Sequence, residues 1–204
     1  MNRAVKKHFQ EHADIVAAHI KEGNDLLNSA AGEIASSFLN EGKLYTFGSG
    51  ISSLLANYAA SLFINRCRMF RPPLPAIFLR TDASVHSYQA SGYSDIFEKQ
   101  ISALATPQDI IWGITQGGIE ESIICGMRTA AHNGVKTISL SGKENNALQG
   151  VSDIFISVDT TDPLRIHELH LLIINAICDR VDEIMFNPDS DKTESENEEE
   201  DSLN

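Results

Sequence analysis

Three cysteines in 204 residues, none of them in a C-x-x-C pair, leave the chain without the spacing of a thiolate zinc site or a disulfide framework. Cys67, Cys125 and Cys178 are therefore expected as buried thiols. No apolar run reaches the roughly 18 residues of a membrane span. The opening MNRAVKKHFQEHADIV is charged and amphipathic, without the apolar core and small-residue cleavage site of a signal peptide, so a cytoplasmic location is expected. Positive charge is scarce: 16 Lys and Arg face 28 Asp and Glu, for a formal net charge of −12. Such a chain repels phosphate backbones and anionic lipid, and neither direct nucleic-acid binding nor membrane binding is expected.

Much of that deficit lies in one place. The segment NPDSDKTESENEEEDSLN, residues 187–204, holds eight carboxylates and one lysine, and the remainder is only mildly acidic. With almost no apolar side chains to offset its ordering entropy, the segment reads as a disordered acidic tail. Residues 1–186 then form one domain, long enough at 42% hydrophobic content for a single well-buried α/β core.

What is present in that domain is a change of period. Residues 3–21 and 24–41 carry apolar side chains at helical spacing, divided by Gly23 and ended by Gly42. Beyond them, apolar runs at Leu44–Phe47, Ala76–Leu79, Ile110–Ile114, Thr137–Leu140 and Ile154–Val158 alternate with helical segments. Strand and helix in alternation predict a parallel sheet covered on both faces, joined by right-handed crossovers. A last helix is expected from about Pro163 to the Asn187-Pro188 stop, with Leu164, Leu171, Ile174, Ile177, Val181 and Ile184 as its stripe. The two leading helices (residues 1–42) and this last one hold more apolar surface than one small sheet needs, which points to packing between copies.

Three loops at expected strand ends contain glycine: GSG at Gly48–Gly50, TQGG at Thr115–Gly118 and SGK at Ser141–Lys143. Glycine lets backbone N–H groups approach an anion, and a following helix adds its positive end. Ser49, Gly50 and Ser52 in the first, with Thr115, Gln116 and Gly117 in the second, are the expected ligand-binding residues. Glu120 and Glu121 suit the helix start but compete with an incoming anion. His8 with His12, four apart, and His167 with His170, three apart, have spacings that could share a metal, yet a pair is an incomplete site. No metal and no cofactor are expected. Ser52 and Ser53 have no sequence-local base to activate them as nucleophiles.

In this order of elements, GSGIS, DIIWGITQGG and KTISLSGK resemble the SIS (sugar isomerase) fold, and in particular its phosphoheptose isomerase subgroup, over residues 1–186. The resemblance implies a three-layer α/β/α domain with a five-stranded parallel sheet and two N-terminal helices, assembled as a homotetramer, a dimer of dimers. The subgroup's first loop reads G-N-G-G-S and its second S-T-S-G-N-S, both touching a sugar phosphate. Its metal-binding His and Glu on the next helix fall at Tyr58 and Leu62 here, and its Gln and His on the last helix at His167 and Asn175. Aldose–ketose isomerisation needs a base beside the carbonyl and an acid for the oxygen, and these positions supply no such set.

The segments LFINRCRMFRPPLPAIFLRTD and NAICDRVDEIMFNPDSD are similar to the DiaA-like branch of the subgroup, whose members bind the replication initiator DnaA. That resemblance implies a non-catalytic adaptor in chromosome replication initiation, with DnaA as partner, Met185 and Phe186 as a partner-binding patch, and a residual phosphosugar pocket. The alternatives are a phosphoheptose isomerase acting on sedoheptulose 7-phosphate through a rearranged site built from His167, Glu168 and His170, or a phosphosugar sensor.

Overall fold

A computed structural model describes residues 3–21, 25–81, 92–117, 120–143 and 146–187. The acidic tail beyond residue 187, Gly23 and Gly118 lie outside the described residues. Two helices, α1 (Arg3–Lys21) and α2 (Asp25–Leu39), precede a five-stranded sheet of β1 (Leu44–Gly48), β2 (Ala76–Phe78), β3 (Ile110–Ile114), β4 (Lys136–Gly142) and β5 (Ile154–Val158). Between strands run α3 (Gly50–Ile64), α4 (Ile96–Leu104), α5 (Glu121–His132) and α6 (Asn146–Gln149), and α7 (Pro163–Phe186) closes the domain. The expected strands and the long last helix are all present.

All strand pairs are parallel, in the order β2-β1-β3-β4-β5. β1 and β3 are buried along their whole lengths, as strands covered on both faces must be. One core cluster joins the sheet to α2, α3 and α7, and a second joins its other face to α4, α5 and α6. Phe63 lies fully buried in the first, Phe47 and Phe97 in the second, each worth about 1.5–3 kcal/mol of burial. Three layers result. No helix among the described residues is long and apolar enough to cross a membrane. Of the cysteines, Cys178 is buried, while Cys67 and Cys125 are half-buried free thiols.

α7 is placed by more than apolar packing. Pro163 starts it in a first turn that needs no N–H, and Asp162 caps it by accepting from the Leu164 N–H at 2.9 Å. Near its other end, the Asp182 carboxylate accepts from Arg71 Nε at 2.7 Å, with both side chains almost wholly buried. The rest of that guanidinium donates to the carbonyls of Phe63 and Pro72 through Nη1 and of Leu62 through Nη2. Burial raises the Asp182 carboxyl from its ordinary value, and Arg71 opposes part of that rise. The pair clamps the end of α3, the segment leading into β2, and α7 together.

Two variants test this architecture. Asp182→Ala strands a buried guanidinium and should cost about 3–5 kcal/mol in urea unfolding. At the end of β1, a Cβ on Gly48 would sit 2.7 Å from both the Ile114 and Ser52 carbonyl oxygens. Gly48→Ala should lower stability by about 1–3 kcal/mol, seen as a lower urea midpoint at unchanged slope.

Candidate functional site

In the order 2-1-3-4-5 the chain reverses its direction of travel between β1 and β3, and the crevice beyond their carboxyl ends is where an open α/β sheet receives ligands. The first two glycine loops flank that crevice. Ser49 is extended, at φ −119° and ψ 156°, and its hydroxyl does not cap α3. Gly50 and Gly117 both take positive φ, +53° and +119°, which frees the backbone on either side. Ser52 is buried one turn further along, and its Oγ has no hydrogen-bond partner among the described residues. Across the crevice Thr115 is fully buried, and its Oγ1 accepts from the Gly117 N–H at 3.2 Å. Gln116 is exposed.

Glu120 spans the gap. Its Oε1 accepts from Thr115 Oγ1 at 2.6 Å, and its Oε2 accepts from Ser49 Oγ. The second and third loops meet at Gly142, where a Cβ would lie 2.4 Å from the Gln116 carbonyl oxygen and 2.7 Å from Ile166 Cδ1 of α7. Beside this junction a cleft of ≈ 250 Å³ opens between Gln116, Gly117, Lys143, Thr160, Thr161 and Ile166. Lys143 in that cleft pairs with Asp159 at 2.6 Å.

α7 brings its histidines to the same end of the sheet. His167 follows Ile166 directly, its Nε2 is buried with no partner among the described residues, and burial lowers its pKa. His170 is fully buried. Burial pulls it down to about 4, opposed by the Ser141 backbone and helped by His167. Among the described residues neither ring nitrogen makes a well-aligned hydrogen bond, although the Ser141 backbone lies near enough to favour the charged form. Both imidazoles are thus neutral at pH 7. The Ser141 Oγ is likewise buried and unpartnered among the described residues. The sequence placed Ser141 in the third glycine loop without a role of its own. The structure instead extends β4 through Ser141 to Gly142, and the apolar run before it was the available signal.

Glu168 does not join this set. Its Oε1 pairs with His8 Nε2 at 3.1 Å, while its Oε2 takes His12 Nδ1 at 2.7 Å and Arg165 Nη1 at 2.8 Å. Arg165 in turn lies against the His8 ring and donates to the His8 carbonyl at 3.0 Å. The expected trio of His167, Glu168 and His170 is therefore split, because helical spacing turns Glu168 towards α1. His8 and His12 do converge, but a guanidinium shares their carboxylate and its charge opposes a cation.

At the four positions where the isomerase pattern would place its acid–base and metal residues, Tyr58 Oη donates to Asn175 Oδ1 at 2.8 Å and Leu62 packs half-buried against the core. With His167 these make a poor donor set for a metal ion. Among the described residues no group of three ligand side chains converges on one point. At the far end of α7, Met185 packs against the core and Phe186 is 39% exposed.

Residues 7–142 match the SIS domain family. The phosphoheptose isomerase of Thermodesulfovibrio yellowstonii is 33% identical over 184 residues, 89% of this chain and 92% of that protein. That of Pseudoalteromonas atlantica is 32% identical, covering 91% and 97%. A phosphoheptose isomerase structure from Francisella tularensis superposes with a TM-score of 0.82 at 31% identity, covering 88% of this chain and 97% of that one.

These likenesses overturn the expectation of a non-catalytic DnaA adaptor, since isomerases match nearly the whole chain. The physical reason is internal to the fold. The two segments on which that expectation rested contain Arg71 and Asp182, which are buried against each other, so their joint presence reports how α7 is anchored. The leaning towards no enzyme fails with it, because vacated positions on α3 do not exclude acid–base groups elsewhere. With the three-layer fold and its parallel sheet in place, the chain belongs to the SIS domain family, in its phosphoheptose isomerase-like branch.

Proposed function

We propose that this chain is a phosphosugar isomerase of the phosphoheptose isomerase type, converting sedoheptulose 7-phosphate to its aldose isomer through a rearranged acid–base set on α7. The supporting observation is His167, a neutral imidazole with a buried, unpartnered Nε2, carried by the helix turn that packs on the loops of the crevice. The phosphate is received at the β1 and β3 loops by Ser49, Gly50, Ser52, Thr115, Gln116 and Gly117, where hydroxyls and backbone N–H groups supply donors. The sugar then extends towards α7.

Isomerisation moves one proton between adjacent carbons and leaves the sugar's overall oxidation state unchanged. In this reading the His167 imidazole takes the proton from the hydroxyl-bearing carbon beside the carbonyl, an enediolate forms, the proton returns to the former carbonyl carbon, and the hydroxyl proton passes from its oxygen to the former carbonyl oxygen. Ser52 and Ser141 hold buried hydroxyls available to the developing oxyanion. Self-association belongs to the same reading. Ile51, Leu54 and Tyr58 on α3 and Leu171 and Leu172 on α7 expose apolar surface that the expected homotetramer would cover. Sedimentation equilibrium should return four chains per particle, and a lone chain overturns that part.

Incubation with sedoheptulose 7-phosphate, with and without added divalent cations, should yield the aldose product by NMR. His167→Asn should slow turnover by about 100-fold or more with little change in unfolding midpoint. Because the base must be neutral and burial lowers its pKa, the rate should hold down to about pH 6.5 and fall only below it. Binding without turnover under all conditions would discard the isomerase and leave a phosphosugar sensor.

A further inference from the structure

We propose that Glu120 is a built-in anion seated where the ligand's phosphate enters, so that phosphosugar binding requires its displacement and Glu120 sets the affinity of the site. The inference rests on the phosphosugar reading above and goes beyond it. Glu120 stands at the N-cap of α5 in extended conformation, φ −98° and ψ 91°, yet makes no side-chain cap bond to its own helix. An acidic N-cap residue ordinarily accepts from the N–H groups one turn ahead. This one turns back across the crevice instead. It takes one hydroxyl from each flanking loop, Thr115 on one oxygen and Ser49 on the other.

Those two hydroxyls are among the donors that a phosphate at this crevice would use. Two carboxylate oxygens receiving one hydroxyl each present the same pattern as two oxygens of a phosphate. Thr115 cannot turn elsewhere, because it is fully buried and its oxygen is also held by the Gly117 N–H. A phosphate and an ionised carboxylate cannot share these donors, since each hydroxyl has one proton to give and both ligands are negative. The neighbouring Glu121 differs in the respect that matters. It is exposed on the first turn of α5 and lies 3.5 Å from the Cys125 thiol, which donates to it. Removing either carboxylate subtracts one charge from the helix start, but only Glu120 blocks the seat.

The test is calorimetric titration of the full chain with inorganic phosphate and with sedoheptulose 7-phosphate, comparing wild type, Glu120→Ala, Glu120→Gln and Glu121→Gln. Glu120→Ala should tighten both ligands by about tenfold or more, Glu120→Gln should do so to a smaller extent, and Glu121→Gln should change either by less than about twofold. Measurable wild-type binding that Glu120→Ala leaves unchanged overturns the displacement while the phosphosugar reading stands. An equal gain in Glu121→Gln reduces the effect to general charge and also overturns it. No binding by any of the four proteins overturns both readings. Should Glu120→Ala fail to fold, Glu120→Gln decides the question, since it keeps the shape and loses only the charge.

Discussion

A buried guanidinium holding a buried carboxylate, Arg71 with Asp182, is the constraint on which the geometry of this domain turns. One end of α7 is capped by Asp162 over the carboxyl edge of the sheet, and the other is pinned by Asp182 to the end of α3 and the approach to β2. A helix fixed at both ends cannot slide or rotate without stranding a charge away from water. The register of everything it carries follows. Ile166 meets Gly142 at the end of β4, His170 is desolvated and His167 partly so, and Asn175 meets Tyr58.

α7 serves two electrostatic environments on different faces. Towards α1, Arg165 and Glu168 form a half-exposed cluster with His8 and His12 that docks the N-terminal helix. Towards the sheet, His170 is fully buried and His167 partly so, and burial depresses both pKa values. One short sequence, Arg165 to His170, thus holds both a structural ion cluster and a neutral imidazole pair. Which residue belongs to which is set by the helical period of about 3.6.

The crevice shows a comparable division. Its backbone retains what an anion needs, with glycines in positive φ after β1 and β3 and a helix N-terminus behind each. Its side chains have been given an acceptor of their own. Glu120 satisfies hydroxyls that would otherwise face an empty crevice, and it ties together two loops that belong to neighbouring strands.

Much of the fold was legible because its signals are local. Unbroken apolar runs for buried parallel strands, helical spacing between them, Pro163 at a helix start and glycine at strand ends each depend on a few neighbouring residues. Of the candidate site, the loops and the acidic competitor Glu120 were visible in the same way. The sequence could not show that Glu120 would reach Ser49, 71 residues away, or that Glu168 would face α1 and not its histidine neighbours. The segments around Arg71 and Asp182 looked like a partner-binding signature until the fold placed one against the other. By itself, then, the sequence determined the layers, the order of elements and the family, since these follow from periodicity and short-range backbone preference. Only the tertiary structure decided which charges meet and which imidazoles lose water, because pairing and desolvation depend on distances between residues far apart along the chain.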